Sequence, residues 1–202
     1  MDVRLVAWGR QVKARQAKLP GAKLPGRKPP PLWLFTDHRR LVDPRAAVAA
    51  LPRGLAGVVF RHDGTPGRVE LALQVARICR ERRLDLAVSG DWRLAARCRA
   101  GLHLRGGRVP TAPRWLPRLT ASAHTAADIR RGRLAGAAAV FVSPAFATPS
   151  HPAAAGLGPL RWARLARMAP GRAAALGGVD GRSVKRLAQD GVAVGAVSAL
   201  IG

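Results

Sequence analysis

The stretch LWLFTDHRRLVDPRAAVAALPRGLAGVVFRHDG, residues 32–64, contains one pattern twice. A short apolar run, LWLF (32–35), ends in Thr36, Asp37 and His38. An Ala-rich segment with helical spacing follows (about 43–51). A second apolar run, GVVF (57–60), then ends in Arg61, His62 and Asp63. Continuous short apolar runs without polar alternation suit strands buried on both faces. The pattern recurs along the chain, with apolar runs at DLAVS (85–89), LHL (102–104), LTASA (119–123), AVFVS (139–143), AALG (174–177) and VAVGAVS (192–198). Helical segments are expected at about 66–82, 91–99, 125–134, 158–168 and 181–189. Asp43-Pro44, Thr125 with Asp128, and Asp180 supply start signals for three of the helices.

Strands alternating with helices imply a parallel sheet with right-handed crossovers, and eight of them imply a (β/α)8 barrel. The size is tight. Residues 32–202 allow roughly 21 per unit, so some helices must be short or missing, above all around 105–117. An open doubly wound sheet, which needs fewer strands, is the rival. Residues 1–31 read as a separate unit, a basic helix (about 2–17) followed by the Pro/Gly linker KLPGAKLPGRKPPP.

The 202 residues carry 35 Lys plus Arg against 11 Asp plus Glu, a formal charge of +24. Residues 1–30 hold eight bases and one acid; the remaining excess is spread along the chain, almost all of it as arginine. A nucleic-acid binder concentrates its charge and adds aromatic stacking platforms. Tyr is absent here, and Trp33, Trp92, Trp115 and Trp162 lie in or beside barrel elements. Nucleic acid is therefore not the expected partner. No apolar run is long enough to span a membrane, and no signal segment is expected. Cys79 and Cys98, each flanked by arginine, read as reduced thiols, which points to a cytoplasmic protein.

In a barrel of this kind the chemistry sits at the C-terminal ends of the strands. All five histidines fall there: His38, His62, His103, His124 and His151. So do Ser89, Asp91, Ser122, Ser143, Thr148 and Ser150, the Gly177-Gly178 pair, and Ser198. A lone strand-end histidine is as often a hydrogen-bonded structural residue as a functional one. Gly177-Gly178 at a strand-to-helix turn presents backbone N–H groups to a phosphate. No P-loop or dinucleotide fingerprint occurs.

In order and spacing, several segments resemble the thiamine-phosphate synthase and thiazole tautomerase family. They are LFTD (34–37), VVFRHDG (58–64), GLHLRGG (101–107), SAHT (122–125), VSPAFATPSHP (142–152), LGPLRWARLA (157–166), LGGVDG (176–181) and VSAL (197–200). The resemblance runs from Leu32 to Ile201 and implies a (β/α)8 barrel acting on thiazole phosphate and, in synthases, on a pyrimidine diphosphate with Mg²⁺. It places Arg61, Ser89, Thr148, Ser150 and His151 on substrate, and Gly177, Gly178, Val197 and Ser198 on the thiazole phosphate. Ser122 and His124 fall on catalytic positions, His124 as proton shuttle, since imidazole gives and takes a proton near neutral pH.

Departures from the family pattern are concentrated at the metal and diphosphate positions. A family lysine is Asp63 here, an Asn-Asp pair is Ser89-Gly90, a metal aspartate is Arg108, and a second lysine is His151. Only Asp91 is left as a metal carboxylate, should Mg²⁺ bind. The tautomerase branch lacks the metal carboxylate and needs no cofactor, so a tautomerase-like or divergent activity is the favoured expectation. The alternatives are a working synthase that uses Mg²⁺ and a non-catalytic thiazole-phosphate carrier. Family members are often oligomeric, so a homo-oligomer is possible.

Overall fold

A computed structural model describes residues 1–18, 28–108, 118–148, 155–187 and 193–201. Its strands are β1 (Leu32–Phe35), β2 (Ala56–Phe60), β3 (Asp85–Ser89), β4 (Gly101–Leu104), β5 (Leu119–Ala123), β6 (Ala139–Val142), β7 (Ala173–Leu176) and β8 (Ala193–Ala196). Its helices are α1 (Val3–Lys18), α2 (Arg45–Ala50), α3 (Arg68–Glu81), α4 (Trp92–Arg97), α5 (Ala126–Leu134) and α6 (Gly158–Ala166). Each strand pairs in parallel with the next, and β8 closes on β1, where Leu32 is in register with Val194. The open-sheet alternative is thereby excluded.

Side chains alternate across the strands. Leu34, Val58, Val88, Leu102 and Val140 face the helices in the larger core. Trp33, Phe35, Val59, Ala87, Phe141 and Ala174 fill the lumen. Its large rings lie edge to face, Trp33 to Phe141 at 5.8 Å and Phe35 to Phe141 at 4.8 Å. Small residues make room for them. A Cβ on Gly57 would lie 2.7 Å from the Trp33 ring, and one on Gly195 2.6 Å from Phe35. Gly57→Val is expected to overpack this layer and lower stability by about 1–3 kcal/mol, read as a shifted urea midpoint.

The first helix packs on the barrel. Leu5 is fully buried, and Gly9 lies so close to Leu32 that a Cβ there would meet it at 2.7 Å. At the start of α1, the Asp2 N–H donates to the Ala199 carbonyl and its carboxylate accepts the Gly181 N–H. Further along, Lys13 Nζ donates to the Gly54 carbonyl just before β2. The helix thus runs opposite to the strands over the outside of β1, as an outer-ring helix does. The Pro/Gly linker lies largely outside the described residues.

Two helical expectations change. The segment 181–189 is a 3-10 turn, Ser183–Arg186, where it is described. The Asp180 carboxylate accepts the N–H groups of Arg182 and Ser183, closing a turn where a longer helix was expected. After β4 only a 3-10 turn, Arg105–Gly107, is described, with Gly106 and Gly107 at positive φ. Residues 109–117, Trp115 among them, lie outside the described set.

Candidate active site at the barrel mouth

The polar strand ends converge on one face of the barrel, and the roles of their residues separate according to hydrogen bonding. Arg61, just after β2, is tied to the end of β1. Its N–H donates to Thr36 Oγ1 at 3.0 Å, its Nε donates to the Thr36 carbonyl at 2.9 Å, and its guanidinium lies over Phe35 at 5.4 Å. Burial pulls its pKa below the ordinary arginine value, opposed by Asp37 and Asp63. It is a held, partly desolvated cation at the mouth.

Two histidines are structural. His62 is buried against Phe60, and its Nε2 lies 2.9 Å from the Leu41 carbonyl. That carbonyl can only accept, so Nε2 carries the proton and Nδ1 accepts the Thr36 hydroxyl at 3.0 Å. His103 is a lumen residue of β4 with Nδ1 at 2.9 Å from Thr120 Oγ1, and it packs on Phe35. Burial first, then Arg61 and Arg105, push its pKa down to about 3. His38 is half-buried, with its ring 6.4 Å from that of His62.

His124 differs from both. It follows β5, is exposed, and turns Nδ1 towards the Ser143 carbonyl at 3.1 Å. Ser143 Oγ lies 3.3 Å from the same nitrogen, and the tautomer that donates from Nδ1 to the carbonyl leaves the lone pair on Nε2. Nε2 makes no hydrogen bond within the described residues. The backbone below is fixed by a capping box. Thr125 Oγ1 accepts the Asp128 N–H, and the Asp128 carboxylate accepts the N–H groups of Thr125 and His124. Burial would raise the Asp128 pKa, but those N–H groups and Arg131 outweigh it and hold it below 3.8. Thr125→Ala is expected to cost about 1 kcal/mol of stability, read by denaturant titration. Ser122 is turned to the neighbouring strand. Its hydroxyl accepts the Gly106 N–H at 3.3 Å and lies 3.4 Å from the Leu104 carbonyl, so it positions the turn after β4.

The segment after β6 connects His124 to the glycine pair. The Ala145 N–H donates to Leu176 and the Phe146 N–H to Gly177. A Cβ on Gly178 would lie 2.3 Å from the Ala147 carbonyl, so only glycine allows this approach. The backbone N–H groups of Gly177, Gly178, Val197 and Ser198 donate to no described group. Among the described residues they are donors without an acceptor, beside the ends of β7 and β8. Thr148 ends the described part of this loop; Ser150 and His151 lie outside the described residues.

Across the mouth, at the ends of β3 and β4, arginine and aspartate form a network. Arg68 donates to Asp91 Oδ2 at 2.8 Å and to Asp63 Oδ1 at 3.0 Å. Arg105 pairs with the other oxygen of Asp63, and its Nε donates to Ser89 Oγ at 3.1 Å. Asp91 Oδ1 also caps α4 by accepting the Leu94 N–H. Burial pushes the Asp91 pKa up, but the Leu94 N–H and Arg68 bring it below 3.8. Each carboxylate that a divalent cation would need is thus taken by an arginine. Among the described residues no three acidic, His or Cys side chains gather to hold a metal. This donor set does not fit Mg²⁺. Arg68 carries no motif; only its place in the first turn of α3, above β2 and β3, marks it.

A profile of the family described as thiamine monophosphate synthase matches residues 33–201, the whole barrel. The chain belongs to the thiamine monophosphate synthase family. Among solved structures, this family member is similar to the thiamine phosphate pyrophosphorylase of Pyrococcus furiosus. That match has 20% identity and a TM-score of 0.70, and covers 83% of this chain and 85% of the other. The thiamine phosphate pyrophosphorylase of Bacteroides thetaiotaomicron matches at 15% identity and TM-score 0.54, covering 84% and 83%. FabK from Thermotoga maritima shares the barrel at 12% identity and TM-score 0.63, covering 85% of this chain and 58% of its own. At these identities the solved structures establish the fold alone. None of the curated proteins matches in sequence. No described helix is long and apolar enough to cross a membrane.

Proposed function

We propose that this family member acts in thiamine biosynthesis as a tautomerase-like isomerase of thiazole phosphate carboxylate, with His124 as the proton shuttle. The observation that carries the reading is the state of His124. Its Nδ1 lies against the Ser143 carbonyl and hydroxyl, which favours the proton on Nδ1, and its Nε2 has no partner among the described residues. In the proposed reaction Nε2 takes a proton from one carbon of the substrate. The electron pair moves through the conjugated system, and the imidazolium returns the proton at its other end, so nothing is gained or lost. The open N–H groups of Gly177, Gly178, Val197 and Ser198 grip the phosphate. Arg61 faces the negative charge that builds while the proton is on His124. The Asp63 and Asp91 pairings support a reaction without metal, because both carboxylates are engaged by arginine.

The test offers the protein two mixtures. With pyrimidine diphosphate, thiazole phosphate and Mg²⁺, no thiamine phosphate above background is expected. With the thiazole phosphate carboxylate tautomer alone, isomerisation is expected. Robust product in the first mixture would instead make the chain a synthase, and no turnover in either would make it a carrier.

A further inference from the structure

Asp2, the residue before α1, sits at the mouth end of β7 and β8. Its N–H donates to the Ala199 carbonyl at 2.9 Å, in the 3-10 turn Ser198–Leu200 after β8. Its Oδ2 accepts the Gly181 N–H at 2.7 Å, in the turn after β7. Its Oδ1 accepts the N–H groups of Arg4 and Leu5 at 2.9 and 3.2 Å and so caps α1. The fit is close, since a Cβ on Gly181 would lie 2.5 Å from Asp2 Oδ1. Each turn is closed on itself. Ser183 Oγ donates to the Gly178 carbonyl at 2.9 Å, and the Ile201 N–H donates to the Ser198 carbonyl at 3.2 Å. The β7–β8 ladder ends with Leu176 opposite Gly195. Beyond it no backbone hydrogen bond joins the two turns to each other among the described residues. Asp2 bonds to both.

We infer that Asp2 is a positioning residue, which holds the turns after β7 and β8 at one fixed spacing so that the N–H groups of Gly178 and Ser198 meet the same phosphate. Donors on two separate turns bind a phosphate tightly when their convergence is set before the ligand arrives, because ordering them on binding costs affinity. Lys13, bonded to the Gly54 carbonyl at 2.6 Å, anchors α1 further along, so the residue that caps the helix is fixed against the barrel as well. The role rests on the phosphate grip proposed above and not on the proton shuttle. It draws the basic N-terminal segment into the site through the one acid in residues 1–30, not through its bases.

The test is Asp2→Ser in the full chain. A serine hydroxyl still caps α1, so the urea midpoint is expected to stay at the wild-type value. One oxygen replaces two, so the bond to Gly181 is lost. Thiazole phosphate, titrated by calorimetry, is expected to bind about tenfold more weakly to this variant. In the ligand-free protein the amide NMR resonances of Gly178 and Ser198 are expected to shift or broaden, while that of Leu94, at the cap of α4, stays in place. The role is overturned if Asp2→Ser binds as wild type does, if the two amides do not move, or if stability and affinity fall together. A wild-type protein that binds no thiazole phosphate, with the two amides still moved by the substitution, would overturn the phosphate grip and the role with it. Unmoved amides beside intact wild-type binding would overturn the role alone.

Discussion

His124→Ala is expected to lower the kcat for isomerisation by about 10²-fold or more while KM changes little, the usual weight of a positioned general acid-base group. The side chain is exposed and its backbone is held by Asp128, not by the imidazole. Its removal therefore leaves the barrel and the open N–H groups beside β7 intact. Phosphate binding should survive, so KM and kcat separate. His124→Gln should be as slow as the alanine variant, because an amide keeps a polar contact to Ser143 but cannot carry the proton. Equal loss of kcat and of phosphate binding would show a structural role, and an unchanged rate would remove His124 from the chemistry.

The second large effect is on stability. His103 has its pKa pushed down to about 3 by burial, with Arg61 and Arg105 adding repulsion, whereas in the unfolded chain it has the ordinary 6.5. Between these values the unfolded state binds a proton that the folded state refuses. The His103 contribution is thus fully favourable above about pH 6.5 and is lost progressively as pH falls towards 3. Lowering pH from 7 to 4 should cost about 3 kcal/mol through this residue alone. The depressed carboxylates Asp91 and Asp128 act in the same direction only below their unfolded value of 3.8, as pH falls through their folded values. Urea unfolding of wild type and of His103→Gln should give curves that converge as pH drops from 7 to 4. Parallel curves would contradict the buried neutral imidazole.

These two histidines also show where sequence reading stops. Both occupy strand ends, and both sit in motifs that resemble the family, LHL and SAHT. Nothing in the local sequence says that His103 points into the lumen onto Phe35 while His124 is open to solvent. That difference follows from barrel closure, which brings Thr120 beside one ring and Ser143 beside the other. The strands themselves were legible because a strand buried on both faces must be a short apolar run. LWLF and DLAVS coincide with β1 and β3 residue for residue. The Thr125 capping box was legible because it is local. The segment 181–189 was not, because a capped 3-10 turn and the first turn of an amphipathic helix share the same signals.

The arginine network was half legible. Asp63 and Arg108 stood out as departures from the family pattern, and Asp91 remained as the one possible metal ligand. That Arg68 would join Asp63 and Asp91 depends on three separate elements meeting, and no spacing rule carries it. The pairing also gives the high charge a local meaning, since part of the arginine excess occupies the wall where metal carboxylates would stand.

The most direct measurement of the central claim is incorporation of solvent deuterium into thiazole phosphate carboxylate, followed by NMR in the presence of EDTA. The arrangement of His124, the open N–H groups and the paired aspartates predicts catalysed exchange at the same rate with EDTA and with Mg²⁺. No exchange in EDTA, with turnover appearing only when Mg²⁺ is added, would contradict it.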